Sequence, residues 1–155
     1  MLQCRGQDVG RTVKWRGQAV LPRRHKDTEM KENDIGTIIV DCAVELHRNL
    51  GPGLLETVYE VTLARSLERR GLMVQRQVGV SIEYQGETFS EGFRADLIVG
   101  ELVIVELKSI ERVTPAHKKQ LLTYLRLTGL KLGYLLNFGE ALMRDGITRT
   151  INGQL

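Results

Sequence analysis

The fold of this chain is decided by the stretch RADLIVGELVIVELKS, which spans residues 94–109. It predicts two apolar strands joined by a tight turn at Gly100. Each predicted strand carries charge where a buried strand should carry none, because Asp96 lies in the first and Glu106 and Lys108 lie in the second. Burying an unpaired carboxylate costs several kcal/mol, so such charges usually pair with another group or bind a ligand. We expect the ligand here to be a metal ion.

The spacing of these charges makes a prediction about the turn. Side chains of a strand alternate between faces, so Glu106 and Lys108 share one face and Leu107 points the other way. Asp96 stands directly opposite Glu106, on the same face, only if the loop has an odd number of residues. A three-residue loop over 100–102 is a common solution, whereas a two-residue loop would put Glu106 on the other face. The metal-site hypothesis therefore predicts an odd loop or a bulge.

The length and composition of the chain indicate one globular domain. The chain has 155 residues, of which 42% are apolar and 26% are charged, and this is enough for a sizeable core. No apolar run approaches the roughly 18 residues that span a membrane, and the N-terminus lacks the apolar segment of a secretory signal. The two cysteines, Cys4 and Cys42, are too few for a disulfide framework. We therefore expect a cytoplasmic protein without a membrane partner.

The positive charge is concentrated near the N-terminus. Residues 1–29 hold seven Lys/Arg against three Asp/Glu, whereas residues 30–155 hold 15 basic and 16 acidic side chains. Because residues 1–29 show no sustained period, we interpret them as a disordered basic leader, upstream of a natural beginning at Met30. The alternative is a basic arm that grips phosphates. Any attraction of the domain over 30–155 for nucleic acid must come from the distribution of its charges.

Hydrophobic periodicity and turn residues predict the elements of the domain. The predicted helices cover about 33–49, 54–70 and 114–128, the first capped by Asn33 or Asp34 and the last by Thr114. The predicted strands cover about 74–84, 88–99, 102–109, 132–138 and 147–151. A crossover helix makes the 132–138 strand parallel to the 102–109 strand. The predicted fold class is therefore α/β, with a mixed sheet of an antiparallel meander plus a parallel strand, flanked by helices.

The charged group of the hairpin suits divalent-cation chemistry. Asp96 and Glu106 offer two hard oxygen ligands, which suit Mg²⁺ or Mn²⁺ together with substrate phosphate oxygens. Lys108 beside the ion can orient a water or stabilise charge on the phosphate. An ion pair on an edge strand would also explain the Glu-x-Lys pattern. The spacing of zinc ligands, nucleotide-binding glycine loops and a Gly-x-Ser-x-Gly elbow are all absent from the sequence.

Five residues of the second and third predicted helices are either site residues or ordinary helix residues. Glu56 lies near the start of the second predicted helix, where an acid is favoured by the helix dipole or is aimed toward the sheet. Lys118 and Lys119 precede Gln120 in the third predicted helix, and in isolation they indicate a solvated face. Gln120 and Tyr124 are four residues apart and share a face of that helix.

Four motifs follow one another in an order that resembles the PD-(D/E)XK nuclease superfamily, and more closely its GxxExxY family. The motifs are GLLETVY over 53–59, Asp96, Glu106-Leu107-Lys108, and QLLTY over 120–124, which is similar to the QxxxY motif of RecB-type nucleases. Ala95 stands where the superfamily name has proline. The resemblance covers about residues 30–155.

The resemblance implies a restriction-endonuclease-like core and Mg²⁺-dependent (or Mn²⁺-dependent) cleavage of nucleic acid, with DNA favoured over RNA. The metal ligands that it implies are Asp96, Glu106 and the Leu107 carbonyl. The other catalytic residues that it implies are Lys108, acting on water or phosphate, and Glu56, supporting the metal through water. The substrate-binding residues that it implies are Gln120, Tyr124 and Tyr59.

Two other functions are consistent with the same sequence. A non-catalytic nucleic-acid-binding or regulatory module on this fold would bind without metal-dependent turnover. A protein-interaction domain would show neither metal affinity nor salt-dependent binding of nucleic acid. Because no second domain is predicted, recognition of a particular sequence would come from a homodimer, a partner protein or the structure of the substrate.

Overall fold

The computed structural model describes residues 30–155, so the predicted basic leader over 1–29 lies outside the described residues. The helices are α1 (Glu32–Leu50), α2 (Glu56–Arg69) and α3 (Pro115–Thr128), and a 3-10 turn covers Met143–Gly146. The strands are β1 (Val74–Tyr84), β2 (Glu87–Val99), β3 (Val103–Lys108), β4 (Leu132–Asn137) and β5 (Ile147–Ile151). Over residues 30–155, no helix is both long and apolar enough to cross a membrane.

The five strands form one mixed sheet in the order β1-β2-β3-β4-β5. Strands β1, β2 and β3 are an antiparallel meander, and β5 is antiparallel to β4. Strands β3 and β4 are parallel, which requires a crossover connection, and α3 supplies it. One core cluster packs α1 and α2 against one face, and a second packs α3 against the other. The predicted α/β fold class and mixed sheet are confirmed.

The buried strand β3 fixes which way its charged residues point. Val105 and Leu107 belong to the core cluster under α1 and α2, whereas Ile104 belongs to the cluster under α3. The alternation of a strand therefore directs Glu106 and Lys108 toward the α3 face. A strand covered on both faces is otherwise apolar throughout, so these two residues are the exceptions that require an explanation.

Local sequence sets the helix ends. Helix α3 begins after Thr114 with a proline in its first turn, and it ends at Gly129, whose left-handed conformation (φ 75°) closes it. Helix α1 begins earlier than predicted, with Lys31 at the N-cap. The predicted cap Asp34 lies inside the first turn, where its carboxylate accepts the Lys31 N–H at 3.0 Å. The N-cap position predicted for Asn33 or Asp34 is therefore wrong, while Asp34 takes part in capping through the Lys31 N–H.

The loop between β2 and β3 has the odd length that the charge pattern requires. The strands pair from Val99 opposite Val103 to Leu97 opposite Val105, which leaves a three-residue loop over 100–102. The prediction of an odd loop is confirmed.

The backbone of this loop depends on glycine at its first position. Gly100 and Glu101 both have positive φ, 60° and 61°, and this conformation favours glycine. A Cβ atom at Gly100 would also lie 2.6 Å from Ile35 Cδ1 of α1. The glycine thus lets the turn form and lets α1 pack against it.

Candidate active site

Strands β2 and β3 separate just beyond their last paired residues. The pairing ends where Leu97 stands opposite Val105. From there β2 continues beside β1, while β3 continues beside β4. We call the opening between the two strands the fork. Asp96 and Glu106 are the first residues past the last pair, and the register places them opposite each other.

The two carboxylates occupy the narrow end of the fork. The Asp96 N–H donates to Glu106 Oε1 at 3.2 Å, and the Leu107 N–H donates to Asp96 Oδ2 at 2.9 Å. These amides have lost their ladder partners, and an unpaired buried donor costs about 1–3 kcal/mol. Because the N–H and C=O of a strand residue point toward the same neighbour, the Leu107 carbonyl also points into the fork.

Glu106 is a buried carboxyl beside a second acid. The residue is 6% exposed. Burial, and then the charge of Asp96, raise its pKa from 4.5 to about 8, while the Asp96 backbone N–H and the Lys108 charge act in the opposite direction. The pair of acids is therefore short of positive charge, which is the condition that a bound divalent cation relieves.

Lys108 and Glu56 lie close enough to the fork for their charges to interact with it. Lys108 is half-buried, and its charge lowers the pKa of both Glu56 and Glu106. Glu56 is the first residue of α2. Burial raises the pKa of its carboxyl, the Asp96 charge raises it further, and Lys108 and the Ser109 N–H lower it. Glu56 is thus both at the helix start and turned toward the sheet.

Helix α3 contributes an aromatic ring to the fork. Tyr124 is half-buried and stacks on Phe93 of β2, with ring centroids 3.9 Å apart and an interplanar angle of 9°. Burial raises the pKa of its hydroxyl, and the charges of Glu106 and Asp96 raise it further, so the hydroxyl lies near the acid pair. Gln120 lies one turn earlier in α3 and is exposed.

Tyr59 belongs to the core and not to the surface. Its side chain is fully buried, and its ring stacks on Phe138 with centroids 4.4 Å apart. Its hydroxyl donates to the Gly51 carbonyl at 2.5 Å and accepts the Leu54 N–H at 3.1 Å. A fully buried ring cannot contact nucleic acid, so the predicted substrate-binding role of Tyr59 is corrected. The residue instead holds the loop that leads to Glu56.

Two residues that the sequence analysis missed support Asp96 from the side of α2. Gln77 of β1 donates to Glu60 Oε2 at 2.8 Å, and its Nε2 lies 3.4 Å from Asp96 Oδ1. Glu60 is 5% exposed and forms an ion pair with Arg76 at 3.0 Å. One available signal was its spacing, since Glu60 follows Glu56 by four residues and shares its helix face.

The strand backbone is irregular at Gln77 and Asp96. Gln77 has a φ of 50°, which is uncommon outside glycine, and the β1–β2 register omits this pair. Leu97 packs in the cluster under α1 and α2, whereas Ala95 packs in the cluster under α3. In a regular strand, residues two apart would share a face. The side chains of β2 therefore change the face of the sheet on which they pack at Asp96, where β2 separates from β3.

The side chains of the fork fit a hard divalent cation. Within residues 30–155, no group of three His, Cys, Asp or Glu side chains is arranged to hold a metal, so a closed zinc site is excluded there. Mg²⁺ and Mn²⁺ need fewer protein ligands, since one or two carboxylates suffice and water completes the shell. Asp96, Glu106 and the Leu107 carbonyl offer that set.

Comparison with known proteins agrees with this geometry. The family model of the PD-(D/E)XK nuclease superfamily matches residues 33–150, a range that runs from α1 into β5 and includes the fork. The chain belongs to this superfamily. Its mixed five-stranded sheet between helices is consistent with the restriction-endonuclease-like α/β fold. Membership of a nuclease superfamily implies a nucleic-acid substrate. No curated protein and no solved structure matches the chain.

Proposed function

We propose that this PD-(D/E)XK protein hydrolyses phosphodiester bonds of nucleic acid, DNA in preference to RNA, and requires Mg²⁺ or Mn²⁺. The observation that carries the proposal is the fork, where the hairpin register sets Asp96 opposite Glu106 and strand alternation puts Lys108 on the same face as Glu106. The superfamily match gives this arrangement a reaction class.

Each residue of the fork has its own role in the proposed reaction. Asp96, Glu106 and the Leu107 carbonyl would hold the cation, which when bound neutralises charge on the phosphate and makes a water more acidic. Lys108 lies at the end of β3, and its side chain makes no hydrogen bond or ion pair with a described residue. Its ammonium group is therefore available to orient the attacking water or to stabilise negative charge developing on the phosphate.

Three further residues extend the site, and they lie in the two sequence motifs outside the central hairpin. Glu56, in the GxxExxY pattern of residues 53–59, would support the cation through water, as its electrostatic coupling to Lys108 and Asp96 suggests. Tyr124, in the QxxxY pattern of residues 120–124, has its hydroxyl near the acid pair and would position a phosphate oxygen. Gln120, exposed one turn away, would contact the substrate beside it.

The test combines cleavage and metal binding. Purified protein should cut DNA with Mg²⁺ or Mn²⁺, cut RNA less well, and stop on addition of EDTA. Asp96→Ala should lower the rate by roughly a hundredfold or more and should weaken Mn²⁺ binding measured by calorimetry. Glu68→Gln, which changes an exposed carboxylate of α2, is the matched control and should leave both unchanged. Equal cleavage by wild type and Asp96→Ala would identify a contaminating nuclease and defeat the proposal.

A non-catalytic binding module on the same fold is the second candidate. It is favoured by the raised pKa of Glu106, because a protonated carboxyl is a poor ligand for a cation. This function predicts that nucleic acid binds to wild type and to Glu106→Ala equally well, with no metal-dependent cleavage by either. The same two assays therefore separate the candidates.

A further inference from the structure

The charges of the described chain are segregated. Residues 112–139 hold five Lys/Arg and no Asp/Glu, whereas the rest of 30–155 holds ten basic and 16 acidic side chains. The five lie in α3 or in the segments at its two ends, and we call them the α3 basic surface. They are Arg112, Lys118, Lys119, Arg126 and Lys131.

The α3 basic surface is exposed and unpaired. All five of its residues are exposed, and none forms an ion pair with a described carboxylate. Four arginines outside the surface are paired instead. These pairs are Arg70–Glu45, Arg76–Glu60, Arg94–Glu91 and Arg144–Asp145. Several like charges that lie close together without partners create a positive potential that attracts a polyanion.

The course of α3 brings this surface to the fork. Helix α3 begins after a six-residue loop that follows the end of β3, and its Tyr124 stacks on Phe93 of β2, one of the two strands that form the fork. Lys119 and Arg126 are seven residues apart and share one helix face. That face lies opposite Leu121 and Leu125, which are buried against the sheet. These two exposed cations therefore lie on the outside of the same helix whose inner side contributes to the site.

The opposite side of the fork carries the opposite charge. Beyond the fork, the β1–β2 hairpin exposes Glu83, Glu87 and Glu91. Its basic residue in this part, Arg94, is already paired with Glu91. A polyanion approaching the fork is therefore repelled by the hairpin and attracted by α3.

We propose that the α3 basic surface binds the phosphate backbone of the substrate next to the bond that is cleaved. The duplex then approaches the fork from the α3 side and stays clear of the β1–β2 hairpin. The proposal rests on the proposed function for the substrate class, duplex DNA. Contacts of lysine or arginine with phosphate release condensed counterions, so they leave a measurable dependence of affinity on salt.

The experiment compares two double variants that lose the same charge. Lys118→Gln/Lys119→Gln removes two cations of the surface. Arg65→Gln/Arg69→Gln removes two exposed arginines of α2 that form no ion pair with a described residue. Binding of a fluorescent DNA duplex is measured by anisotropy in EDTA across a salt series, beside the wild type. Each lost phosphate contact should reduce the slope of log K against log salt by about 0.9, so the lysine variant should lose one to two units of slope and on the order of tenfold in affinity.

The control pair should retain the wild-type slope. Equal changes in both variants would overturn the proposal, because attraction would then follow net charge alone. An unchanged slope in the lysine variant, or no DNA binding by the wild type, would overturn it too. Cleavage of the same duplex with Mg²⁺ is measured in parallel. If the wild type binds with the predicted slopes but does not cleave, the proposed function is refuted and the role of the α3 basic surface is supported. If the wild type cleaves but the lysine variant shows no slope change, the role of the surface is refuted and the proposed function is supported.

Discussion

In the metal-free protein, Glu106→Gln should raise the free energy of unfolding at alkaline pH and leave it unchanged at acid pH. Burial and the charge of Asp96 raise the pKa of Glu106 from 4.5 to about 8. Between these values the folded protein holds a proton that the unfolded chain releases, so wild-type stability falls as pH rises through this window. At 1.36 kcal/mol per pKa unit, the loss above pH 8 reaches at most about 5 kcal/mol. That is a large share of the roughly 5–15 kcal/mol that stabilises a domain.

Glutamine is the informative replacement because it has the shape and hydrogen-bonding groups of protonated glutamic acid. It can accept the Asp96 N–H and donate to the Asp96 carboxylate, and it carries no charge to desolvate. Urea unfolding in EDTA, followed by circular dichroism at several pH values, gives the difference in free energy between variant and wild type. The difference should be near zero at low pH and should grow until the pH passes about 8.

Glu68→Gln serves as the control, since it makes the same change at an exposed position on α2. Its effect on the free energy of unfolding should stay small at every pH. A difference between Glu106→Gln and wild type that does not vary with pH would refute the reasoning, because the Glu106 carboxyl would then not be held protonated by the fold. A variant that is less stable than wild type at pH 9 would refute it more directly.

Three further substitutions test single features. Gly100→Ala should lower the free energy of unfolding by about 1–2 kcal/mol. Alanine is strained at the positive φ of this position, and its Cβ would clash with Ile35. An unchanged urea midpoint would contradict this. Tyr59→Phe keeps the buried ring but removes two hydrogen bonds. Thermal unfolding should therefore show that the free energy of unfolding falls by about 1–3 kcal/mol. A variant as stable as the wild type would show that the hydroxyl is dispensable. Gln77→Ala should slow cleavage roughly tenfold by releasing Asp96. It should also lower the urea midpoint, because the buried Glu60 carboxylate loses a donor; a lower midpoint at full rate would assign Gln77 to stability alone.

The central hairpin is predictable from sequence because its constraints are local. Glycine at position 100 marks the turn, and the alternation of charged and apolar residues selects an odd loop. The observed pairing of Leu97 with Val105 satisfies both. The ends of α3 are predictable for the same reason, since Thr114 and Gly129 act on neighbouring backbone groups. These features can be predicted because the interactions that decide the turn and the helix ends lie within a few residues of them.

The support of the site is not predictable because it comes from distant parts of the chain. Glu60 has the pattern of an ordinary charged helix residue, yet Arg76 and Gln77 of another element bury it. His47, in the last turn of α1, is buried for the same reason. The residue is 6% exposed, because its Nε2 hydrogen-bonds at 2.8 Å with the carbonyl of Glu140, 93 residues away.

The change of buried face in β1 and β2, at Gln77 and Asp96, is a third feature that periodicity does not reveal. Apolar residues at alternate positions predict a strand, but they do not show that the strand changes the face it buries. The change requires a residue with a φ of 50°, and glutamine gives no signal for that conformation. Such strain at the edge of a site is stabilised by the contacts around it, here those with Glu60 and Asp96.

The hairpin places both acids of the fork within eleven consecutive residues, 96–106, while Glu56 and Tyr124 come from separate helices. These two groups of residues can therefore be lost independently as sequences diverge. Under the proposed function, a descendant that alters α2 or α3 would keep the acid pair that binds the cation and would lose turnover. Among divergent copies of this chain, cation binding should outlast catalysis, so a survey based on the hairpin alone would count inactive copies as enzymes. The helices, not the hairpin, are where active and inactive copies should differ.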